Sequence, residues 1–274
     1  MKVLTVQDIS CYGQCSLTVA LPVLSSQGIE TAILPSAILS THTSGFKNFT
    51  VFDLTSEMPK IINHWINEKI KFNALYTGYI GDEKQFNYII NIKEKLLTDD
   101  GLFIVDPAMA DNGKLYPALN ESIIQGMKTI SSIADLIIPN ITEACFLTNN
   151  KYIETYNEEY IDKLLNDLIN LGAKKVVLTG VSYEEGKIGA VYYDGINKKQ
   201  YFSTKISKSY HGTGDLFSSM LIANILNKKT IDESLKNSVE FIIDCIKETM
   251  DDENHNYGVK FEKILKEGKF YDNN

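Results

Sequence analysis

Ser209-Tyr210-His211-Gly212-Thr213-Gly214-Asp215-Leu216-Phe217 runs directly into an apolar stretch that reaches Leu226. Two glycines, two aliphatic hydroxyls and a carboxylate therefore stand at the entrance of a helix. Gly212 and Gly214 let the main chain turn tightly and approach a ligand with no Cβ in the way. The N–H groups of the turn and of the first helical residues lack helical acceptors. With the helix dipole they form a site for an anion, and phosphate is the expected guest. Asp215 would repel that anion, so its place here points to a base. A carboxylate beside an incoming phosphoryl group can take the proton of an attacking hydroxyl while the N–H groups stabilise the transferring phosphate. The competing reading is that Thr213 or Asp215 simply caps a buried helix. The stretch is not the dinucleotide fingerprint, because Phe217 stands at its third glycine position.

Outward from this turn, strand-sized apolar runs recur at residues 3–6, 31–34, 74–76, 102–105, 136–138 and 176–178. Helix-length segments separate most of them, with Phe86, Ile89, Ile90 and Leu97, or Ile161, Leu164, Leu165 and Leu168, at helical spacing. The pattern predicts a doubly wound α/β fold: a mainly parallel central sheet, helices on both faces, and a small lid. Five runs end in polar or glycine-bearing steps, namely Gln7-Asp8, Gly78-Tyr79, Asp106-Pro107, Asn140 and Thr179-Gly180. Ligands of open parallel sheets bind outside the carboxyl ends of the strands, so these residues are expected to converge. Residues 187–206 alternate around Asp194-Gly195 and predict an antiparallel hairpin at the sheet edge. Residues 36–53, rich in Ser and Thr, read either as a lid over the crevice or as a surface loop. A long helix is expected over 231–250, then a short helix and a polar tail. No repeat or linker is visible, so residues 1–274 are expected to form one domain.

Every one of the 27 basic residues is a lysine, and the formal net charge is -8. A nucleic-acid or anionic-membrane surface needs clustered positive charge, so neither is an expected partner. Without guanidinium groups, a bound polyphosphate must be neutralised by backbone N–H groups, lysine or a metal ion. The four cysteines show no metal-type spacing and are expected to be reduced thiols. No charged leader precedes residues 3–6 and no run reaches membrane-spanning length, which predicts a cytoplasmic protein.

Asn140-Ile141-Thr142-Glu143 sits where a strand gives way to a helix. With Asp106 at a neighbouring strand end, it could hold Mg²⁺ through water, as suits a hard cation that dehydrates reluctantly. Read locally, Asn140 and Glu143 also fit a capping box. Residues 180–187 are not a Walker phosphate loop, since the glycine spacing is one residue too long and Ile188 replaces the hydroxyl.

Together these features resemble the ribokinase-like superfamily, and within it the kinases of pyridoxal, pyridoxine and pyridoxamine, over residues 7–262. Gly212-Thr213-Gly214-Asp215 resembles the superfamily's anion hole and catalytic base, and Asn140 to Glu143 its N-x-x-E motif. Ser40-Thr41-His42-Thr43 is similar to the S-N-H-T signature of pyridoxal kinases, and Thr77-Gly78-Tyr79 to their substrate-side tyrosine segment. Tyr116 resembles a tyrosine that closes over the nucleotide phosphates. The resemblance implies an ATP- and Mg²⁺-dependent phosphorylation of the hydroxymethyl group of a vitamin B6 ring, by a homodimer. A monovalent cation is a further cofactor the residues leave open. It implies Asp215 as the base, and Gly212, Thr213 and Gly214 as the phosphate hole. Asp106, Tyr116, Asn140, Glu143, Thr179 and Gly180 would border the nucleotide, with Asp106 and Glu143 on the metal. Asp8, Ser10, His42, Thr43 and Tyr79 would border the ring. Two departures bear on the substrate. The pyridoxal kinases' Q-S-H is here Gln7-Asp8-Ile9, and Ile38 and Leu39 stand where a ring-stacking aromatic residue is usual. Asp8 with Ser10, Cys11 and Gly13 is closer to the hydroxymethylpyrimidine kinases of thiamine synthesis, the alternative reading; a non-catalytic vitamin sensor is a third.

Overall fold

A computed structural model describes residues 1–43, 45–117 and 119–269. The chain opens with β1 (Lys2–Ser10), α1 (Leu17–Ser26), β2 (Glu30–Leu39), β3 (Val51–Asp53) and α2 (Met58–Asn67). It continues through β4 (Phe72–Thr77), α3 (Lys84–Leu96), β5 (Leu97–Val105), β6 (Ala110–Asp111), β7 (Lys114–Leu115) and α4 (Glu121–Ser131). Then come β8 (Leu136–Ile137), α5 (Ile141–Thr148), α6 (Glu158–Leu171), β9 (Val176–Val181), β10 (Lys187–Tyr193) and β11 (Lys198–Thr204). The last elements are α7 (Thr213–Leu226), α8 (Ile231–Thr249) and α9 (Glu262–Glu267).

Nine strands form one sheet in the order β11-β10-β9-β8-β5-β4-β1-β2-β3. The pairs from β9 through β2 are parallel, and the antiparallel pairs lie at the two edges. Alternation along the strands divides the core. Leu4, Val6, Leu75 and Val105 face α2 to α6, while Val3, Ala74, Tyr76 and Ile104 face α1, α7 and α8. Because both faces are covered, the central strands are apolar almost throughout, as the sequence runs predicted. α7 has buried residues all round its circumference, because it is enclosed by the sheet, α1 and α8. A helix so enclosed gives its amino-terminal turn a fixed position.

Two expectations change. Leu97, expected on a helical face, is the first residue of β5, with α3 ending at Leu96. Residues 36–53 are not wholly irregular: Ala37, Ile38 and Leu39 pair with Asp53, Phe52 and Val51, making an antiparallel flap on the edge of the sheet. The β-forming pairs Ile38-Leu39 and Val51-Phe52 dictate this, and the intervening Ser and Thr obscured it. The polar tail falls partly outside the described residues. The hairpin over 187–206 and the long helix from 231 are found as expected. Among the described residues no helix is long and apolar enough to cross a membrane.

Candidate active site

Gly212 has φ 77°, and a Cβ there would lie 1.9 Å from the carbonyl oxygen of Gln14. Glycine is thus imposed twice, by the left-handed turn and by the strand-to-helix loop crossing it. Gly214 differs, since a Cβ there would meet nothing within 4 Å. The space it leaves open faces the cavity. Neither Thr213 nor Asp215 caps α7 through its side chain. The Thr213 hydroxyl donates to the Tyr210 carbonyl at 3.2 Å, leaving its main-chain N–H for an anion. The Asp215 carboxylate accepts the main-chain N–H of Ser16 at 2.9 Å. The capping alternative therefore falls, and Asp215 is oriented from across the site.

The carboxyl ends of β1, β4, β5, β8 and β9 border a cavity of about 180 Å³ against this turn. On one side lie Asp106, Tyr116, Asn140, Glu143 and Thr179. Asn140 and Glu143 do form a capping box, the Asn140 side chain accepting from Glu143 N and the Glu143 carboxylate from Asn140 N. The box and the site are one structure. Glu143 also accepts Met109 N–H at 3.2 Å, and Asn140 Nδ2 donates to the Ala110 carbonyl at 2.8 Å, tying the turn after β5 to α5. Asp106 accepts the Ser218 hydroxyl at 2.6 Å. On the other side lie Asp8, Ser10, His42, Thr43 and Tyr79. Ser10 donates to Asp8 at 3.1 Å. His42 is buried without a well-formed hydrogen bond at either ring nitrogen, 5.6 Å from the His211 ring. Gly180 is exposed and does not line the cavity. Its φ of 72° serves the end of β9 instead.

Four carboxyl groups, Asp8, Asp106, Glu143 and Asp215, thus share one cavity whose lining includes no lysine among the described residues. Burial pushes all four up. Asp215 rises to about 6, from burial and then Asp8, against the lowering effect of the Ser16 N–H. Asp106 rises to about 7, from burial and then Asp215. Glu143 is raised by burial and by Asp106. Burial lowers His42, with His211 adding to it. A cavity so charged demands cations from its ligands.

The sequence matches the phosphomethylpyrimidine kinase family over residues 20–260. The chain belongs to that family. A protein of Bacteroides thetaiotaomicron described as a phosphomethylpyrimidine kinase, crystallised with pyridoxal, has a TM-score of 0.92. It is 33 % identical, and the match covers 97 % of this chain and 94 % of that one. The pyridoxal kinase of Dictyostelium discoideum is 27 % identical over 90 % of this chain and 86 % of its own. The hydroxymethylpyrimidine/phosphomethylpyrimidine kinase of Aquifex aeolicus is 30 % identical over 80 % of this chain and 84 % of its own. The mainly parallel α/β sheet expected from the sequence is the architecture this phosphomethylpyrimidine kinase family member shares with the Bacteroides protein.

Sequence reasoning missed two residues of the cavity wall, Ser16 and Ser218, and one that supports the turn behind it, Gln14. Ser16 precedes α1 with φ 54° and ψ -130°, a conformation rare outside glycine, and aims its N–H at Asp215. Its place before the apolar residues from Leu17 onward marks a helix start, but nothing local reveals the partner. Ser218 lies three residues after Asp215 on the same face of α7, a spacing that could have drawn attention to it. Gln14 accepts the steric constraint of Gly212 and receives the carboxyl-terminal segment, donating to Glu262 at 2.7 Å and meeting His255 at 3.2 Å.

Proposed function

We propose that this chain transfers the γ-phosphoryl group of ATP to the hydroxymethyl group of a vitamin B6 ring. The observation that carries the reading is Asp215: a partly enclosed carboxylate fixed by Ser16 N–H, one turn from a glycine-bordered anion site and facing a small polar cavity. Raised to about 6, Asp215 is a stronger base than an ordinary carboxylate and is still ionised at neutral pH. It accepts the hydroxymethyl proton as the oxygen attacks phosphorus. The free N–H groups of Gly212, Thr213 and Gly214 meet the charge on the transferring phosphoryl oxygens. Tyr116 and Thr179 border the triphosphate beside Asn140. Asp8, Ser10, His42, Thr43 and Tyr79 hold the ring, and the relative bearing pyridoxal supports that choice of ring.

The residues fit Mg²⁺. Asp106 and Glu143 supply hard oxygen donors, and the Glu143 oxygens already accept Asn140 and Met109 N–H, which favours contact through water. Among the described residues no three acidic, His or Cys side chains form a cage alone, as suits an ion held largely by water and phosphate. When bound, the ion offsets phosphate and carboxylate charge. A homodimer is part of the reading, supported by the edge strand β3, where Val51 is 55 % and Phe52 66 % exposed. The reading as hydroxymethylpyrimidine kinase is favoured by the Aquifex relative. A coupled ADP-release assay with pyridoxal, pyridoxine, pyridoxamine and hydroxymethylpyrimidine tests both. Turnover highest on a B6 vitamer supports the proposal, and turnover on the pyrimidine alone overturns it.

A further inference from the structure

Asp8 is a buried carboxyl with no lysine on its cavity wall among the described residues. It is 4 % exposed, within β1, and the side-chain donor bound to it is a hydroxyl, Ser10 at 3.1 Å. Neutral donors satisfy lone pairs and leave the charge uncompensated. The capping role open to a carboxylate near a helix start is not its own, since Ser16 occupies the position before α1.

The cavity lining fixes where Asp8 stands relative to the chemistry. Asp8, Ser16 and Asp215 line the same cavity, Ser16 N–H binds Asp215 at 2.9 Å, and the charge of Asp8 helps to raise the Asp215 carboxyl. The two acids are therefore neighbours. On a B6 ring the reacting hydroxymethyl group and the substituent that distinguishes the vitamers sit on adjacent carbons. With the hydroxymethyl at Asp215, Asp8 on the same cavity wall is within reach of a substituent on the adjacent carbon. That substituent is an aldehyde, an alcohol or an ammonium group, and only the last brings positive charge.

We propose that Asp8 is a specificity-determining residue that selects substrates carrying a cationic amine beside the reacting hydroxymethyl group. The proposal rests on the B6 reading above. Burial raises Asp8, and an ammonium group docking against it favours the ionised form, so the charges stabilise each other on binding. His42 and Tyr79, the other groups facing the ring, do not supply a competing fixed charge, because burial disfavours protonation of the one and ionisation of the other.

The test compares kcat/KM for pyridoxal, pyridoxine and pyridoxamine in the wild type, Asp8→Asn and Asp8→Ser, with ligand affinities measured without ATP. The wild type should bind pyridoxamine about 10-fold more tightly than pyridoxine, which matches it in size but is neutral. Both variants should lose about 10-fold or more in kcat/KM for pyridoxamine relative to pyridoxal, chiefly through KM. Equal wild-type affinities for the amine and the alcohol overturn the proposal without any variant. So does an unchanged pyridoxamine-to-pyridoxal ratio in variants that melt like the wild type, while vitamer turnover itself leaves the B6 reading standing. A wild type inactive on all three vitamers overturns both.

Discussion

Asp215 and Glu143 share a cavity but are held by opposite means, and their variants should fail differently. Among the described residues the Asp215 carboxylate accepts one hydrogen bond, from Ser16 N–H. Its carboxyl, pushed up to about 6 by burial and by Asp8, must be ionised to act as a base. The kcat/KM profile should therefore rise with pH through about 6 and flatten above it. Asp8→Asn removes a negative neighbour and should move that limb to lower pH. A limb that stays in place would separate the two acids. Glu143 instead receives main-chain N–H groups on both oxygens. Glu143→Gln turns an amide nitrogen toward one of those donors, costing about 1–3 kcal/mol, and weakens the metal side. The Mg²⁺ concentration for half-maximal rate should rise more than KM for the vitamin changes. A Mg²⁺ titration that overlays the wild type would remove Glu143 from the metal site.

At the scale of elements, the turn into α7 separates two uses of glycine. Gly212→Ala drives a Cβ onto Gln14 O at positive φ, so it should lower both the melting temperature and activity. Gly214→Ala meets no protein atom within 4 Å. It should melt like the wild type yet lose ATP affinity, because its methyl group occupies the phosphate's space. Equal ATP affinity in that variant would place the phosphate elsewhere. This turn was legible because glycines, a carboxylate and an apolar helix are contiguous in sequence. The strand ends were legible for the same reason: Asp8, Tyr79, Asp106, Asn140 and Thr179 each follow an apolar run and do converge. Ser16 was not, because its role lies in a main-chain N–H reaching across 199 positions to Asp215. The flap was half hidden, since strand pairing of residues 37–39 with 51–53 depends on an edge that only the folded sheet provides. Leu97 was misplaced because the helical pattern runs straight into a strand with no glycine or proline between.

For the molecule as a whole, four carboxyls on one cavity, three of them buried and Asp215 half-buried, are a liability that function explains. Each is raised above its ordinary value, so the stability they permit is fully present below about pH 4 and is lost as pH rises through their folded-state values. Those values are about 6 for Asp215 and about 7 for Asp106. In the absence of Mg²⁺ and nucleotide, Asp215→Asn should raise the melting temperature at pH 8 by about 2 °C or more, with a smaller gain at pH 5. A gain independent of pH would trace the effect to packing. The lysine-only basic set points to backbone N–H groups, lysine or a metal ion as the means of neutralising a polyphosphate, although no composition locates the acids in one cavity. The central claim is that Asp215 directs phosphoryl transfer to the ring's hydroxymethyl oxygen. It is tested most directly by product analysis by ³¹P NMR after incubation with pyridoxal, ATP and Mg²⁺. The wild type should yield ADP and a phosphomonoester on the hydroxymethyl group. Asp215→Asn should yield it roughly 10²-fold more slowly while still binding ATP. A phosphomonoester formed at the same rate by both proteins, or none formed by the wild type, would contradict it.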